Sequence, residues 1–220
     1  MDIKLFSYWR SSAAFRVRIA LNLKNLSHEV IPVNLIKQGG EQHLPSFTAK
    51  NPQDLVPVLE HGSDVLRQSL AIIEYLEETY PTPALLPHDV QERAWVRALS
   101  MDIACDIHPL NNLRVMKYLH KQLQLSDEQK SSWTKHWLEL GLTGVEKTLS
   151  SKPRSGKFCL GDTPGMADVC LIPQIMNAKA SDCDLSPYPE IQKVFDACMK
   201  LPAFIEASWE SQIDYPKQSN

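Results

Sequence analysis

Ser11 and Ser12 stand between a short apolar run, Ile3 to Ser7, and a segment of helical spacing that begins at Ser12. A hydroxyl at a helix start meets unpaired backbone N–H groups and a partial positive charge. That combination can stabilise a thiolate, and it can equally be an ordinary helix cap. Gln68 and Ser69 repeat the arrangement before a second helical run. There the hydroxyl, the N–H groups and the dipole suit a carboxylate, with a plain cap again as the alternative. A third stretch, Leu55-Val56-Pro57-Val58, brings a proline to the start of a strand.

The elements that must position these groups follow from periodicity. Ser12 to Leu23 has apolar residues at mixed helical spacings, with Asn25 as a plausible C-cap. His28 to Leu35 alternates as a second strand, Gly39-Gly40 marks a loop, and Glu41 to Lys50 is a short helix candidate. Val56 to Glu60 and Val65-Leu66 flank Gly62-Ser63-Asp64 as a hairpin, and Ser69 to Tyr80 is a helix. A βαβ unit followed by a ββα unit is a thioredoxin-like arrangement. In that arrangement a proline entering the third strand can be cis, leaving the N–H and C=O of Val56 to pair with an extended peptide. A trans proline is the alternative.

Pro81, Pro83 and Pro87 then break the chain as a linker does. Beyond it Val90 to Leu119, Asp127 to Leu149, Met166 to Asn177 and Pro189 to Met199 have helical spacing and no strand pattern. The expected organisation is an α/β thioredoxin-like domain over residues 1–80, a linker over 81–88, and an all-α domain over 89–220. With 220 residues, 43% of them hydrophobic, the chain can build two modest cores. A net charge of -3 points to neither nucleic acid nor a membrane surface. The five scattered cysteines suit reduced thiols better than disulfides or a metal site, and no apolar leader or bilayer-length run is present, so a cytoplasmic location is expected. A thiolate site, a backbone-pairing edge and a carboxylate site together fit a short thiol peptide with a free amino-acid end, such as glutathione.

The motifs go further. The run Tyr8-Trp9-Arg10-Ser11-Ser12-Ala13-Ala14-Phe15-Arg16-Val17-Arg18 resembles the signature of zeta-class glutathione transferases. Asn51-Pro52-Gln53-Asp54-Leu55-Val56-Pro57, Gln68-Ser69-Leu70-Ala71-Ile72-Ile73-Glu74-Tyr75-Leu76 and Ile107-His108-Pro109-Leu110-Asn111-Asn112-Leu113 are similar to it too, as is Asp168-Val169-Cys170-Leu171-Ile172-Pro173-Gln174. The resemblance covers nearly the whole chain. It implies the glutathione transferase fold, glutathione as cofactor, a homodimer, and maleylacetoacetate isomerase activity in tyrosine and phenylalanine breakdown. Maleylpyruvate isomerisation or transfer of glutathione to haloacids are the nearest alternatives, and a non-catalytic transferase-like scaffold is one of a different class.

The resemblance also implies roles. Ser11, with Ser12 beside it, serves the glutathione sulfur; Val56 pairs with its backbone; Gln68 and Ser69 hold its γ-glutamyl end; Gln42 reaches its glycyl end. His108 and Asn112 close over the thiol side, and Arg10 meets a substrate carboxylate, with His108, Arg114 and Lys179 as further anchors. The implied reaction is reversible thiolate addition to a cis double bond, rotation, and expulsion, so glutathione is recycled. The chain departs from the family at Ala13, where many members carry Cys, at Ala180, where relatives carry Arg, and at Gly165, where they carry Ser or Thr. Ala13 is compatible with glutathione as the nucleophile, and Ala180 leaves the exact substrate open. Asp168 reads as a first-turn capping acid, and Lys147, Lys152, Arg154 and Lys157 as a solvated basic stretch.

Overall fold

Ile3–Ser7 forms β1, with Ile3, Leu5 and Ser7 buried and Lys4 and Phe6 half-buried, the alternation that a strand imposes. The computed structural model describes residues 2–151 and 156–216; Lys152 and Arg154 of the basic stretch lie outside them. After β1 come α1 (Ser12–Leu23), β2 (Glu29–Pro32), α2 (Pro45–Thr48), β3 (Val58–His61), β4 (Asp64–Arg67) and α3 (Ser69–Thr79). They are followed by α4 (Val90–Met101), α5 (Leu113–Lys121), α6 (Asp127–Ser150), α7 (Met166–Ala180), α8 (Pro189–Cys198) and α9 (Pro202–Ile205). The chain divides into two compact units, Met1–Leu85 with Lys200–Asn220, and Leu86–Met199.

In the first unit the strand order is β2-β1-β3-β4, with β1 parallel to β2 and antiparallel to β3, and β3 antiparallel to β4. This is the expected thioredoxin-like topology. α1 packs against α3, and Phe15, Ile19, Ile72, Ile73 and Leu76 are fully buried with Leu5 and Leu59 of the sheet. A second cluster joins Phe47 of α2 to Tyr8, Val33, Val56 and Val58. Asn25 ends α1 from the left-handed region at φ 53°, and the Leu26 N–H reaches the Leu21 carbonyl at 2.9 Å, the bond of a Schellman motif.

Three expectations need correction. Glu41 to Lys50 is not one helix but a 3-10 turn, Glu41–His43, followed by α2. Pro45 is the reason, since it disfavours helical backbone at Leu44, which sits at φ -70°, ψ 143°. The helical pattern over Val90 to Leu119 is also interrupted, by a π turn at Asp102–Ile107 and a 3-10 turn at His108–Asn111. Pro109 supplies no N–H to continue an α ladder there. Finally, the residues from Lys200 onward group with the first unit rather than with the helical domain. Asn22 of α1 donates to the Ala203 carbonyl at 3.1 Å and Arg18 to the Ala207 carbonyl at 2.9 Å.

The second unit is helical. Gly141 of α6 lies against Ile107, whose side chain a Cβ at that position would strike, so glycine permits α6 to approach the turn preceding His108. At the start of α7 the Asp168 carboxylate accepts the Cys159 and Gly165 N–H groups, both at 2.8 Å. Burial raises the Asp168 pKa, and these two donors offset that rise only in part. Asp168→Ala would strand two N–H groups at about 1 to 3 kcal/mol each. We therefore expect a loss of about 2 to 6 kcal/mol in urea unfolding, with the cap reading rejected if the midpoint stays at the wild-type value. Among the described residues no helix is long and apolar enough to cross a membrane.

Candidate functional site

Sheet register brings the suspected motifs to one end of the first unit. Phe6 stands opposite Val58, and Val58 opposite Arg67, so one row crosses β1, β3 and β4. Tyr8 to Ser12 leave that row at the end of β1, Val56-Pro57 enter it before β3, and Gln68-Ser69 leave it after β4. The parallel pair Ser7 and Pro32 puts the end of β2 at the same edge, from which the loop carrying Gln42 departs.

Ser11 is the N-cap of α1, and its Oγ accepts the Ala14 N–H at 3.2 Å. This is the cap reading realised, yet it does not consume the hydroxyl's proton. An O–H that accepts from the helix still has its one donor to offer elsewhere. Ser12 is buried at the first helical position. Arg10 is exposed, with its guanidinium 6.0 Å from the Trp9 ring centroid and 5.6 Å from that of Trp209.

The Val56–Pro57 bond is cis. Val56 itself is buried against Tyr8 and Phe47, two residues short of the β1–β3 ladder. The Thr82–Pro83 bond is cis as well, which the sequence did not signal.

At α3 the N-cap is Gln68, not Ser69, which occupies the first helical turn. Gln68 holds φ 70°, ψ 119°, a backbone region that non-glycine residues rarely adopt and that concentrates at ligand clamps. Ser69 is buried, and its Oγ accepts from Arg16 Nη1 at 3.2 Å. The guanidinium of Arg16 therefore backs the α3 N-terminus with positive charge, while the Ser69 proton remains available to a carboxylate.

Gln42 lies in the 3-10 turn beneath Gly40, whose φ of 118° and lack of a Cβ let the amide pack against it. Gln42 Nε2 is 3.0 Å from His43 Nε2, and His43 Nδ1 is 2.9 Å from Asp54 Oδ2. If the amide donates to Nε2, the imidazole proton sits on Nδ1 and is given to Asp54. Gln42 Oε1 is buried with no hydrogen-bond partner among the described residues, as is Asp54 Oδ1.

Arg18 lies under the turn. It is buried, and it donates to Ser7 Oγ at 2.9 Å, the Tyr8 carbonyl at 3.4 Å, the Trp9 carbonyl at 3.2 Å and the Ala207 carbonyl. Burial lowers its pKa to about 9, against the opposing pull of Asp214, so it remains charged at neutral pH. Arg16, Arg18, His43, Asp54 and Asp214, which contact the candidate residues or the turn that carries them, were not singled out from the sequence. The arginines did leave a signal, two cations inside an otherwise apolar helix that could only be buried if paired.

The remaining expected residues belong to the second unit. His108 opens the 3-10 turn after the π turn, half-buried. Asn112 caps α5 through Oδ1, which accepts the Arg114 N–H at 3.1 Å, and the Arg114 side chain is exposed. Lys179 packs its ammonium over the Phe195 ring, 3.7 Å from the centroid.

Residues 5–84 match the glutathione S-transferase N-terminal domain family. A probable maleylacetoacetate isomerase of Vibrio cholerae is 49% identical, over 97% of this chain and 99% of its own. The holo structure of a maleylpyruvate isomerase, described as a bacterial zeta-class glutathione S-transferase, superposes with a TM-score of 0.94 at 45% identity, covering 97% of this chain and all of that one, 100%. A maleylacetoacetate isomerase from Methylobacterium extorquens AM1, solved with bound malonate and glutathione, gives a TM-score of 0.93 at 39% identity, over 97% and 100% of the two chains. With its length and fold matched end to end at these identities, the chain belongs to the zeta class of glutathione transferases, the family of the maleylacetoacetate and maleylpyruvate isomerases.

Proposed function

We propose that the protein is a glutathione-dependent cis-trans isomerase that converts maleylacetoacetate to fumarylacetoacetate. The observation that carries this reading is the shared sheet edge of Ser11, Val56 and the α3 N-terminus. Glutathione fits the residues present. The orphaned Gln42 Oε1 can accept the glycyl N–H, the Val56 backbone can pair with the cysteinyl unit, and Gln68 and Ser69 can take the γ-glutamyl carboxylate. When bound, it supplies the thiolate that adds reversibly to the cis double bond and is recovered unchanged.

The chain's own residues do the rest. The Ser11 hydroxyl, oriented by its bond to Ala14, donates toward the sulfur position, and the α1 N-terminus favours negative charge there. Arg10 offers a planar fork for a substrate carboxylate, and His108, Asn112 and Arg114 of the helical unit are the further candidates for enclosing thiol and substrate. Lys179, exposed and with its ammonium over the Phe195 ring, is a further candidate anchor. A homodimer in the cytoplasm, acting on a small acidic substrate, completes the reading.

The test is ultraviolet turnover of maleylacetoacetate beside maleylpyruvate, with and without glutathione. Turnover of maleylpyruvate alone would transfer the reading to that substrate, and turnover of neither would refute isomerisation. Retention on glutathione resin without turnover would favour the non-catalytic scaffold. Light scattering should give twice 24.9 kDa at micromolar concentration, and a mass of one chain would refute the dimer.

Ser69→Ala removes one hydroxyl from the proposed carboxylate site while Arg16 and the helix remain. A charge-assisted hydrogen bond of about 1.5 to 3 kcal/mol corresponds to a rise of roughly ten- to a hundredfold in the KM for glutathione. kcat at saturating glutathione should stay within about twofold, because the γ-glutamyl end does not react. A fall in kcat at unchanged KM would place Ser69 elsewhere in the mechanism.

A further inference from the structure

The turn from Tyr8 to Ser11 follows the end of β1 and has little sheet pairing to hold it. Besides the Ser11 N–H bond to the Tyr8 carbonyl at 2.9 Å, its fastenings come from Arg18 of α1 and from the far end of the chain. The Trp9 N–H donates to Asp214 Oδ2 at 3.0 Å, across 205 positions of sequence. The Trp9 ring meets Trp209 edge-on at 6.0 Å and Tyr215 edge-on at 5.0 Å. Arg18 holds the carbonyls of Tyr8 and Trp9 and, with the same guanidinium, the Ala207 carbonyl. Thus both the N–H and the C=O of Trp9 are held by groups that belong or are tied to the C-terminal segment. Trp209 also lies beneath the Arg10 guanidinium.

We propose that the C-terminal segment 207–215 is a clasp that positions the turn bearing Arg10 and Ser11, with Asp214 as its positioning residue. The inference rests on the reading of Ser11 as the group serving the glutathione sulfur. Asp214 acts through the backbone of Trp9, two residues before that serine. A carboxylate acceptor makes this bond stronger than a neutral one would. Displacements of about 1 Å at a reacting group can cost on the order of a hundredfold in rate, so a clasp on this turn bears on chemistry as well as on stability.

The experiment compares the full-length wild type with Asp214→Ala, Asp214→Asn and Trp209→Phe. Hydrogen exchange of a peptide spanning Trp9 to Ser11 reads the clasp directly, with or without ligand. Isothermal titration with glutathione and the pH profile of kcat/KM read its consequence. Asp214→Ala should speed exchange of the Trp9 amide at least tenfold, leaving α6 and α7 at wild-type rates. It should also lower kcat at least fivefold and move the acid limb of the profile to higher pH, because the serine no longer steadies the thiolate as well. Asp214→Asn keeps an acceptor oxygen and should recover most of both effects, and Trp209→Phe keeps an aromatic face and should retain the exchange protection.

Wild-type exchange in Asp214→Ala overturns the clasp. So does faster exchange with unchanged kcat and an unchanged acid limb, which would make the contact structural only. If Asp214→Ala fails to fold, an Asp214→Asn variant with wild-type fold, a lost bond by exchange and full activity overturns it equally. Should the wild type bind no glutathione while its turn is protected as described, the cofactor reading fails instead.

Discussion

Replacing Ser11 with alanine is expected to lower kcat/KM roughly ten- to a hundredfold, the equivalent of a charge-assisted hydrogen bond of about 1.5 to 3 kcal/mol. The same change removes the acceptor of the Ala14 N–H, so it also costs about 1 kcal/mol of helix capping. The two consequences can be separated. Ser11→Gly loses the hydroxyl but, at an N-cap, costs only a few tenths of a kcal/mol. If the hydroxyl serves the sulfur, both variants lose the same factor in rate while only the alanine is appreciably less stable. The acid limb of the pH profile should rise by about 1 to 2 units in both, since one unit corresponds to 1.36 kcal/mol of differential interaction. Turnover indistinguishable from wild type between pH 6 and 8 would remove Ser11 from the chemistry and leave the helix N-terminus to stabilise the thiolate. Ser12 is a poor substitute because it is buried at the first helical position.

What could be read beforehand was whatever depends on local period or on a single residue's covalent limits. The alternation in β1, the spacing in α1 and α3, and the proline before β3 all act over a few residues, and so the β-α-β-α-β-β-α order was legible. From that order the shared edge of Ser11, Val56 and Ser69 follows, since parallel and antiparallel pairing fix which strand ends coincide. Gln68 could be placed at the start of α3 but not foreseen as a strained N-cap, because a φ of 70° at a glutamine has no compositional signal. The interruption of the helix before His108 was only half visible. Pro109 marks it, but the π turn from Asp102 owes its place partly to Gly141, a contact across 34 positions from Ile107.

Long-range polar pairs were out of reach for the same reason. Asp214 accepting from Trp9, or Lys24 donating to Glu77 at 2.7 Å beneath the Tyr80 and Pro83 carbonyls, leaves no periodic trace in either partner's neighbourhood. Nor does the sequence reveal that Gln42, His43 and Asp54 share a hydrogen-bonded row. A chain read by pattern assigns residues to elements, whereas such pairs are set by how finished elements pack. This is why the C-terminal segment was assigned to the helical domain. Its α9 is only four residues long and packs on α1.

Arg10→Ala is expected to raise the KM for maleylacetoacetate roughly ten- to a hundredfold, with glutathione affinity within about twofold of wild type. The side chain is placed for such a role. It is exposed, it projects from the turn next to Ser11, and its guanidinium lies over the rings of Trp9 and Trp209 with no carboxylate partner among the described residues. A ring face draws on the charge of the guanidinium and not on its N–H donors, so the fork remains open to a bidentate carboxylate. Arg10→Lys keeps the charge but loses the fork, and should recover only part of the KM. If the guanidinium also steadies negative charge that develops as the thiolate adds, Arg10→Ala will lower kcat as well, and the lysine variant will restore kcat more than KM. The opposite pattern, weaker glutathione binding with normal handling of substrate, would assign Arg10 to the cofactor site. The anchor would then lie with His108, Lys179 or the exposed Arg114 of the helical unit, and Arg114→Ala is the first variant in which to look for a raised KM for the substrate.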